Sequence, residues 1–368
     1  MRQLRSSWRS LFCLVLLCCC LAGCGQTTEQ PQTEAVPEGV IVDSVGRQVE
    51  LPEAPQRVAA LDSFAGEAMV MIGAGEKMVA APNGVRQDVI LQEIYPGLTE
   101  VGVPMSGGTI NAESLLALQP DLILLKGAMY ANTDEVAKIE QLGIPYLVVE
   151  YSNMAEQIAA LDMIGKALGG EAEQKAQQIS AYYQDVIDRA SAIADTIPER
   201  EKLSVYHSIN ELVRTDGTDT LGYDWITCVG ATNVSGEGEL SFAEDDYFAG
   251  EEQIFLWDPD VIICNEADTA EYLLTEERWS GLRAVREGEV YHIPVGATRW
   301  GQRGSLETFF AILWLGTTIY PEYYEEIDLK QEVFDFYQQV LGITLDDATY
   351  EKMLSGKGLR KSSSSAGV

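Results

Sequence analysis

The chain has 368 residues, of which 57 are acidic and 25 are basic, so its formal net charge is −32 at pH 7. This charge argues against nucleic acid or an anionic membrane surface as a partner, because both repel an acidic protein. The length exceeds what one hydrophobic core comfortably holds, so two lobes are predicted.

The N-terminus has the order of a secretory signal. Three arginines precede an apolar run over 11–21, which is too short to span a bilayer. The run ends in Leu-Ala-Gly-Cys over 21–24, which resembles the cleavage box of bacterial lipoproteins. We therefore predict a signal peptide over 1–23 and a lipid-modified Cys24 that anchors the mature chain outside the cell. A plain secretory signal with a chance cysteine is the alternative.

Residues 24–39 are rich in Gln, Thr, Glu and Pro, which predicts a flexible tether. Of the seven cysteines, only Cys228 and Cys264 remain after the signal and the lipidation site are set aside. There is therefore no disulfide framework and no CxxC metal pattern. One bridge between these two cysteines and two free thiols are both left open.

Short apolar strands alternate with helical stretches along the rest of the chain. Such alternation is typical of βα units around a parallel sheet. It predicts an α/β fold with an N-terminal lobe over 40–152, a C-terminal lobe over 199–355 and a disordered tail over 356–368. The clearest elements are strands at 57–61, 121–125, 146–150, 203–206 and 261–264, and a helix at 64–72.

The segment 153–198 is predicted to be helical and to link the lobes. Its apolar residues from Ala172 to Ile197 are spaced alternately by four and three, which forms one stripe on a helix that Pro198 ends. A helix of about 25 residues is near 38 Å long, which is enough to run from one lobe to the other. An ordinary surface helix within one domain is the alternative.

An internal repeat supports two similar lobes. Residues 111–125 align without gaps on residues 250–264, and each segment contains a short helix, a Pro-Asp turn and a buried strand. Both place a glutamate seven residues before the proline, at Glu113 and Glu252. The match predicts lobes related by a pseudo-twofold axis, and a chance match of a common α/β pattern is the alternative.

A series of short motifs occurs in order along the chain, at 42–47, 51–52, 55–59, 111–125, 142–145, 168–170, 286–291, 313–316 and 320–322. These motifs resemble those of iron-complex and corrinoid-type periplasmic binding proteins, the substrate-binding lipoproteins of ABC transporters. The resemblance implies two Rossmann-like lobes joined by one rigid helix, with a ligand cleft between them. It also implies that Glu113 and Glu252 contact arginines of a permease. The alternative is that both are solvated acids at helix starts.

In a fold of this kind the ligand meets loops at the C-terminal ends of strands. Arg299 and Arg303 lie beside a helix start in a chain with few cations, which favours a carboxylate, phosphate or oxyanion. Ion pairs with surface acids are the alternative for both. Trp300 and Tyr130 offer flat faces for a macrocycle or an aromatic ligand. The candidate ligand-binding residues are Ser63, Phe64, Arg86, Met105, Tyr130, His207, Asn210, Glu266, Arg299, Trp300 and Arg303.

His207 is one of only two histidines and lies at a strand end where the cleft is predicted. With Met105 from the other lobe it would suit the iron of a haem ligand. A histidine that is merely hydrogen-bonded is the alternative. His292 lies inside a predicted strand over 289–293 and is expected to be structural.

The combined prediction is an extracytoplasmic, lipid-anchored and monomeric receptor of an ABC importer. It captures a metal chelate, which is a ferric siderophore, haem or corrinoid, and delivers it to the permease and its ATPase. The bound ligand is expected to be a metal complex, and no cofactor belongs to the protein itself. A receptor for molybdate or tungstate is the alternative within the same fold. An enzyme is disfavoured because there is no nucleophile elbow, phosphate loop or HExxH motif, and an adhesin would need neither the paired glutamates nor the linking helix.

Overall fold

The computed structural model describes residue 37 and residues 39–359. The predicted signal, Cys24, nearly all of the tether and residues 360–368 lie outside this part. Residues 39–359 belong to one compact unit, which contains both predicted lobes. Within residues 39–359 no helix is long and apolar enough to cross a bilayer.

The N-terminal lobe is built on a parallel sheet. Its strands are β1 (Val40–Val42), β2 (Gln48–Glu50), β3 (Val58–Ala60), β4 (Met78–Ala80), β5 (Met105–Ser106), β6 (Thr109–Ile110), β7 (Leu122–Lys126) and β8 (Tyr146–Val149). The sheet has the order β4-β3-β7-β8, and β1–β2 and β5–β6 form antiparallel hairpins. Leu122 and Leu124 of β7 pack into one apolar core, and Ile123 and Leu125 pack into another. The sheet is therefore covered on both faces.

Short polar side chains start several helices of this lobe. Asp62 accepts a hydrogen bond from the Ala65 amide, and Asn111 accepts one from the Ser114 amide. Both are N-caps, so each helix begins directly after the cap. The helices are α1 (Ser63–Met71), α2 (Asn83–Arg86), α3 (Val89–Ile94), α4 (Ala112–Ala117), α5 (Gly127–Ala131) and α6 (Thr133–Leu142).

Two long helices follow, α7 (Met154–Leu168) and α8 (Gly170–Ala194). Helix α8 has 25 residues and buries the predicted stripe from Ala172 to Ala190. It packs against α7 on one side and against a helix of the C-terminal lobe on the other. The predicted linking helix is thus present, and it ends at Ala194 instead of continuing to Pro198.

The C-terminal lobe repeats the design of the first. Its main sheet is parallel with the order β11-β9-β14-β15, and β10, β13 and β12 form a small antiparallel sheet. The strands are β9 (Ser204–Ser208), β10 (Arg214–Thr215), β11 (Thr232–Asn233), β12 (Ser241–Ala243), β13 (Asp246–Phe248), β14 (Val261–Cys264) and β15 (Val290–His292). The helices are α9 (Leu221–Cys228), α10 (Glu251–Trp257), α11 (Ala267–Thr275), α12 (Arg283–Glu287), α13 (Thr308–Ile319), α14 (Leu329–Phe336) and α15 (Asp347–Leu354).

The Pro-Asp turn of the repeat has the same physical role in both lobes. Asp121 accepts hydrogen bonds from the amides of Gln56 at 2.8 Å and Arg57 at 3.0 Å. Asp260 accepts from the Ser204 amide at 2.8 Å and from the Ser204 hydroxyl at 2.6 Å. Each aspartate therefore ties the start of the repeat's strand to the start of a neighbouring parallel strand, which is β3 in the N-terminal lobe and β9 in the C-terminal lobe.

Cys228 and Cys264 are both free thiols. Burial raises the pKa of Cys228 to about 11 and that of Cys264 to about 12, so both stay protonated at neutral pH. Of the two possibilities left open by the sequence, the structure has the unbridged one.

The packing of α7 on α8 requires a glycine at 165. A Cβ atom there would lie 2.4 Å from the Cβ of Ala176, so Gly165→Ala should force the helices apart. We expect a loss of about 1–3 kcal/mol in the free energy of unfolding, measured by denaturant titration. Gly84→Ala is the matched control, because nothing lies within 4 Å of the added atom. Equal stability of the two variants would contradict this packing.

Candidate ligand-binding site

The cleft between the lobes contains two cavities, which we call the first and second compartments. The first has a volume of about 520 Å³ and is lined mainly by loops of the N-terminal lobe. The second has a volume of about 770 Å³ and is lined by both lobes. Ser63, Arg303 and Gly304 line both compartments, so the two meet at these residues.

The first compartment combines apolar walls with charges at strand ends. Met105 and Met129 supply apolar surface, whereas Lys126 ends β7 and Glu150 follows β8. Asp62 follows β3 and caps α1. Burial raises the pKa of Asp62, although its bond from the Ala65 amide and the charge of Lys126 act in the opposite direction. The compartment therefore has polar groups of both signs around an apolar interior.

An ion pair crosses the cleft where the compartments meet. Arg303 of the C-terminal lobe pairs with Glu150 of the N-terminal lobe, and the Gly304 amide donates to the Tyr151 hydroxyl at 3.0 Å. The side chains of Arg303 and Glu150 are 51% and 30% exposed. An anionic ligand group can therefore reach the guanidinium and replace the carboxylate there.

The second compartment holds a similar pair within one lobe. Arg299 donates to Glu266 at 2.7 Å and to Gln302 at 3.1 Å. Asn210 lies on the same wall, as do residues 356–359. The sequence predicted a disordered tail from 356 onward. Its first four residues instead form part of the cavity wall.

A buried polar cluster lies at the base of the cleft. Glu67 of α1 accepts hydrogen bonds from the Thr298 hydroxyl at 2.9 Å and the Leu306 amide at 3.1 Å, both from the other lobe. Glu307 accepts from the Thr298 amide at 3.1 Å and from the Tyr337 hydroxyl. Burial raises the pKa of Glu67 well above its usual range, helped by the charge of Glu307. Burial also raises the pKa of Glu307 to about 8.

The sequence model of the family described as "Periplasmic binding protein" matches residues 58–295, which contain both main sheets and the linking helix. The chain belongs to this family. As a periplasmic binding protein, it is an extracytoplasmic solute-binding protein and not an enzyme. The suspected resemblance is thereby confirmed, as is the predicted fold of two α/β lobes joined by one helix.

Several relatives of this periplasmic binding protein cover most of its length. It is 22% identical over 326 residues to the molybdate-binding protein MolA of Haemophilus influenzae, covering 83% of this chain and 91% of MolA. It is 25% identical over 280 residues to YhfQ of Bacillus subtilis, named as an ABC transporter substrate-binding lipoprotein, covering 72% of this chain and 83% of YhfQ. A periplasmic solute-binding protein of Veillonella parvula has the same fold, with a TM-score of 0.70 and 23% identity over 86% of this chain and 96% of that one.

Six of the predicted site residues meet in the cleft of this binding protein. They come from five different segments of the chain, so only the fold brings them together. They are Ser63, Met105, Asn210, Glu266, Arg299 and Arg303.

Four others line neither compartment. Phe64 is fully buried and packs on Tyr151 with ring centroids 4.9 Å apart. Trp300 is fully buried against Phe310. Tyr130 is covered by the guanidinium of Arg47, which lies 5.0 Å from its ring centroid, and Arg86 is half-buried at the end of α2. Their predicted contact with the ligand is not supported by these positions.

The predicted metal role of His207 also needs correction. His207 is 2% exposed, and its Nδ1 and Nε2 lie 2.8 Å from Asp216 and 2.8 Å from Asn265, respectively. Both ring nitrogens are therefore occupied, and Met105 lines the first compartment without meeting the histidine. Among residues 39–359 no group of three or more His, Cys, Asp or Glu side chains could hold a metal ion. His292 is structural as expected, since its Nε2 donates to the Leu354 carbonyl at 2.9 Å.

Several charged residues that line the cleft were not predicted from the sequence. Lys126 could have been found, because it is a cation at the end of an apolar strand in a chain with few cations. Glu150 ends the next predicted strand in the same way. Lys357 had no such signal, because it lies in a segment of low complexity beyond the last helix.

The buried pair at the base of the cleft predicts a pH dependence of stability. The carboxyl group of Glu307 has a pKa of about 8 in the folded chain and 4.5 in the unfolded chain. Its contribution to stability is therefore fully present when the pH is below 4.5. That contribution is lost as the pH rises through the higher value. We expect the free energy of unfolding to fall by up to about 1.4 kcal/mol per pH unit and per proton between these values.

Glu307→Gln should flatten this slope, because the amide has the shape and the one-donor, one-acceptor end of the protonated carboxyl and does not titrate. Its oxygen can accept from the Thr298 amide, and its NH2 group can donate to the Tyr337 oxygen. Denaturant titrations over a pH series measure the effect. Glu171→Gln, an exposed residue of α8, should keep the slope of the natural chain. Parallel curves for all three proteins would contradict the assignment.

Proposed function

We propose that this protein is the solute receptor of an ABC importer and that it binds an anionic metal chelate, such as a ferric siderophore, in the interlobe cleft. The observation that carries the proposal is the pair of compartments joined at Arg303. Their volumes of about 520 and 770 Å³ match the roughly 300–1,000 Å³ of cavities that bind small organic ligands. The accessible guanidinium between them suits a carboxylate, catecholate or other oxygen anion.

Haem and corrinoids remain within this class as ligands bound by shape and charge. Ligation of their metal by His207 is not part of the proposal, because both nitrogens of that ring are occupied. The ligand would bring its metal into the cleft fully coordinated.

A molybdate or tungstate receptor is the second candidate, favoured by the name of the relative MolA. The cleft cations would attract such an oxyanion as well. The volume of the compartments argues for a larger ligand, because a tetrahedral oxyanion has only five atoms and would leave most of the space to water.

The importer's permease and ATPase are the proposed partners, and the chain would act as a monomer. The name of YhfQ describes a lipoprotein of an ABC transporter, which supports a lipid anchor at Cys24. Docking on the permease is assigned to Glu113 and Glu252. Each lies in the first turn of a short helix and is exposed.

The repeat also places an exposed apolar side chain three residues after each glutamate. Leu116 is 53% exposed and Phe255 is 40% exposed, and each shares a helix face with its glutamate. Glu251 pairs with Arg278, so Glu252 is the better candidate of the two neighbours. Two equivalent surface pairs, each of one acidic and one apolar side chain, would suit a permease that has twofold symmetry.

The receptor function predicts ligand-dependent stabilisation of residues 25–368. A ligand at about 100 times its dissociation constant adds about 2.7 kcal/mol, which moves a melting midpoint by several degrees. Thermal scans would compare ferric siderophores, haem, corrinoids, molybdate and tungstate. We expect a ferric chelate to give the largest shift, whereas a shift with the oxyanions alone would favour the second candidate. No shift with any of them would contradict both.

Permease docking predicts a separation of transport from binding. Glu113→Lys combined with Glu252→Lys should abolish uptake in cells while the ligand affinity of the purified receptor stays unchanged, because neither residue lines the cleft. The control is Glu171→Lys, an equally exposed change that should leave both intact. Loss of ligand affinity in the double variant would contradict the docking role.

A further inference from the structure

Four cationic side chains line the two compartments. Among the residues that the structure describes, two of them form ion pairs with carboxylates and two do not. Lys126 lines the first compartment, Arg303 lines both, and Arg299 and Lys357 line the second. Both arginines face carboxylates, as described above. Within residues 39–359 neither lysine ammonium lies within ion-pair or hydrogen-bond distance of another side chain, although the charge of Lys126 acts on the buried Asp62 from a longer distance. Each compartment therefore contains one ammonium group that is available to a ligand.

From this distribution we infer that the C-terminal turn Gly356–Leu359 is part of the ligand site, and that Lys357 and Lys126 each bind one anionic group of the same ligand. The inference rests on the proposed receptor function and specifies its ligand class. That ligand carries negative charge at two separated ends, and its middle passes Arg303. Neither an uncharged chelate nor a single small oxyanion would use both lysines.

The turn that carries Lys357 is held firmly on the C-terminal lobe. The Val295 amide donates to the Met353 carbonyl at 2.9 Å, just before the turn. Gly356 and Gly358 flank the lysine with φ angles of +66° and +65°, which favour glycine because they are left-handed.

Both glycines are also in close contact with the strand end. A Cβ atom on Gly356 would lie 2.5 Å from His292, and one on Gly358 would lie 3.0 Å from Val295. The backbone on both sides of Lys357 is therefore fixed before a ligand arrives. This preorganisation lowers the entropy cost of using the lysine in binding.

Charge also argues for this role. Asp88, Glu266 and Asp268 line the second compartment, in a chain whose net charge is −32. An anionic group entering there would be repelled unless a cation faced it at close range. Lys357 supplies such a cation, and unlike Arg299 and Arg303 it does not have to break an ion pair with a carboxylate before it binds the ligand.

The test is the affinity of purified variants for three probes, measured by calorimetry. The probes are anionic iron(III) citrate, the anionic iron(III) complex of 2,3-dihydroxybenzoate and the neutral iron(III) complex of acetohydroxamate. The variants are Lys126→Gln, Lys357→Gln and a chain that ends at Ser355. Lys352→Gln, an exposed change on α15 outside both compartments, and a chain that ends at Leu359 are the matched controls.

We expect an anionic chelate to bind the natural chain and to lose affinity by about tenfold in each of the three variants, the loss of one charge-assisted contact. Both controls should bind as the natural chain does. A melting midpoint within a few degrees of the natural value would show that the shortened chain is folded.

Unchanged affinity in Lys357→Gln and in the chain ending at Ser355 would overturn the role of the turn. Binding of the neutral complex alone would overturn the anionic ligand class and leave the receptor function standing. If none of the three chelates bound, molybdate would be tested next. Molybdate binding that depends on only one of the two lysines would overturn the inference that the ligand has two anionic ends. Failure of every probe, molybdate included, would remove the proposed function and this inference together.

Discussion

Glu67 is fully buried at the base of the cleft, and its hydrogen bonds reach across from one lobe to the other. Gln157 of α7 adds a second link by donating to the Ser305 carbonyl at 2.9 Å. These bonds fix the backbone of residues 298–306, the segment that carries Arg299 and Arg303. A buried polar group that loses its partner costs about 1–3 kcal/mol, so the segment is strongly held in one position. The backbone positions of Arg299 and Arg303 are therefore fixed by a buried carboxyl group that bonds the same segment.

This arrangement would allow an acidic protein to bind the proposed anionic ligand. Over long distances a net charge of −32 repels the ligand, and salt screens that repulsion beyond about 8 Å at physiological ionic strength. Close to the cleft the proposed ligand would meet Arg303, whose partner Glu150 comes from the opposite lobe. Exchange of that carboxylate for a ligand group alters one interlobe contact, while the bonds of Glu67 and the stiff helix α8 keep the lobes in place. Binding by ion-pair exchange fits a receptor with little hinge motion.

Much of the fold could be predicted because its signals are local or repeated. The stripe of α8 is a property of consecutive residues, and the Pro-Asp turns at Asp121 and Asp260 have the same hydrogen-bonding role in both lobes. The side chains that line the cleft were harder to predict from the sequence, because their orientation depends on packing between distant segments. Trp300 and Arg303 are three residues apart, yet one is buried against Phe310 and the other reaches the cavity. His207 ends a strand on the expected side, but Asp216, nine residues further along, occupies its ring nitrogen.

Diffraction at the metal absorption edge, from crystals grown with an anionic iron(III) chelate, would show whether the chelate binds by displacing Glu150 from Arg303. We expect one strong anomalous peak inside the cleft, between the two compartments and near Arg303, with Glu150 displaced from the guanidinium. A metal peak outside the cleft, or a bound chelate that leaves the Arg303–Glu150 pair intact, would contradict this expectation.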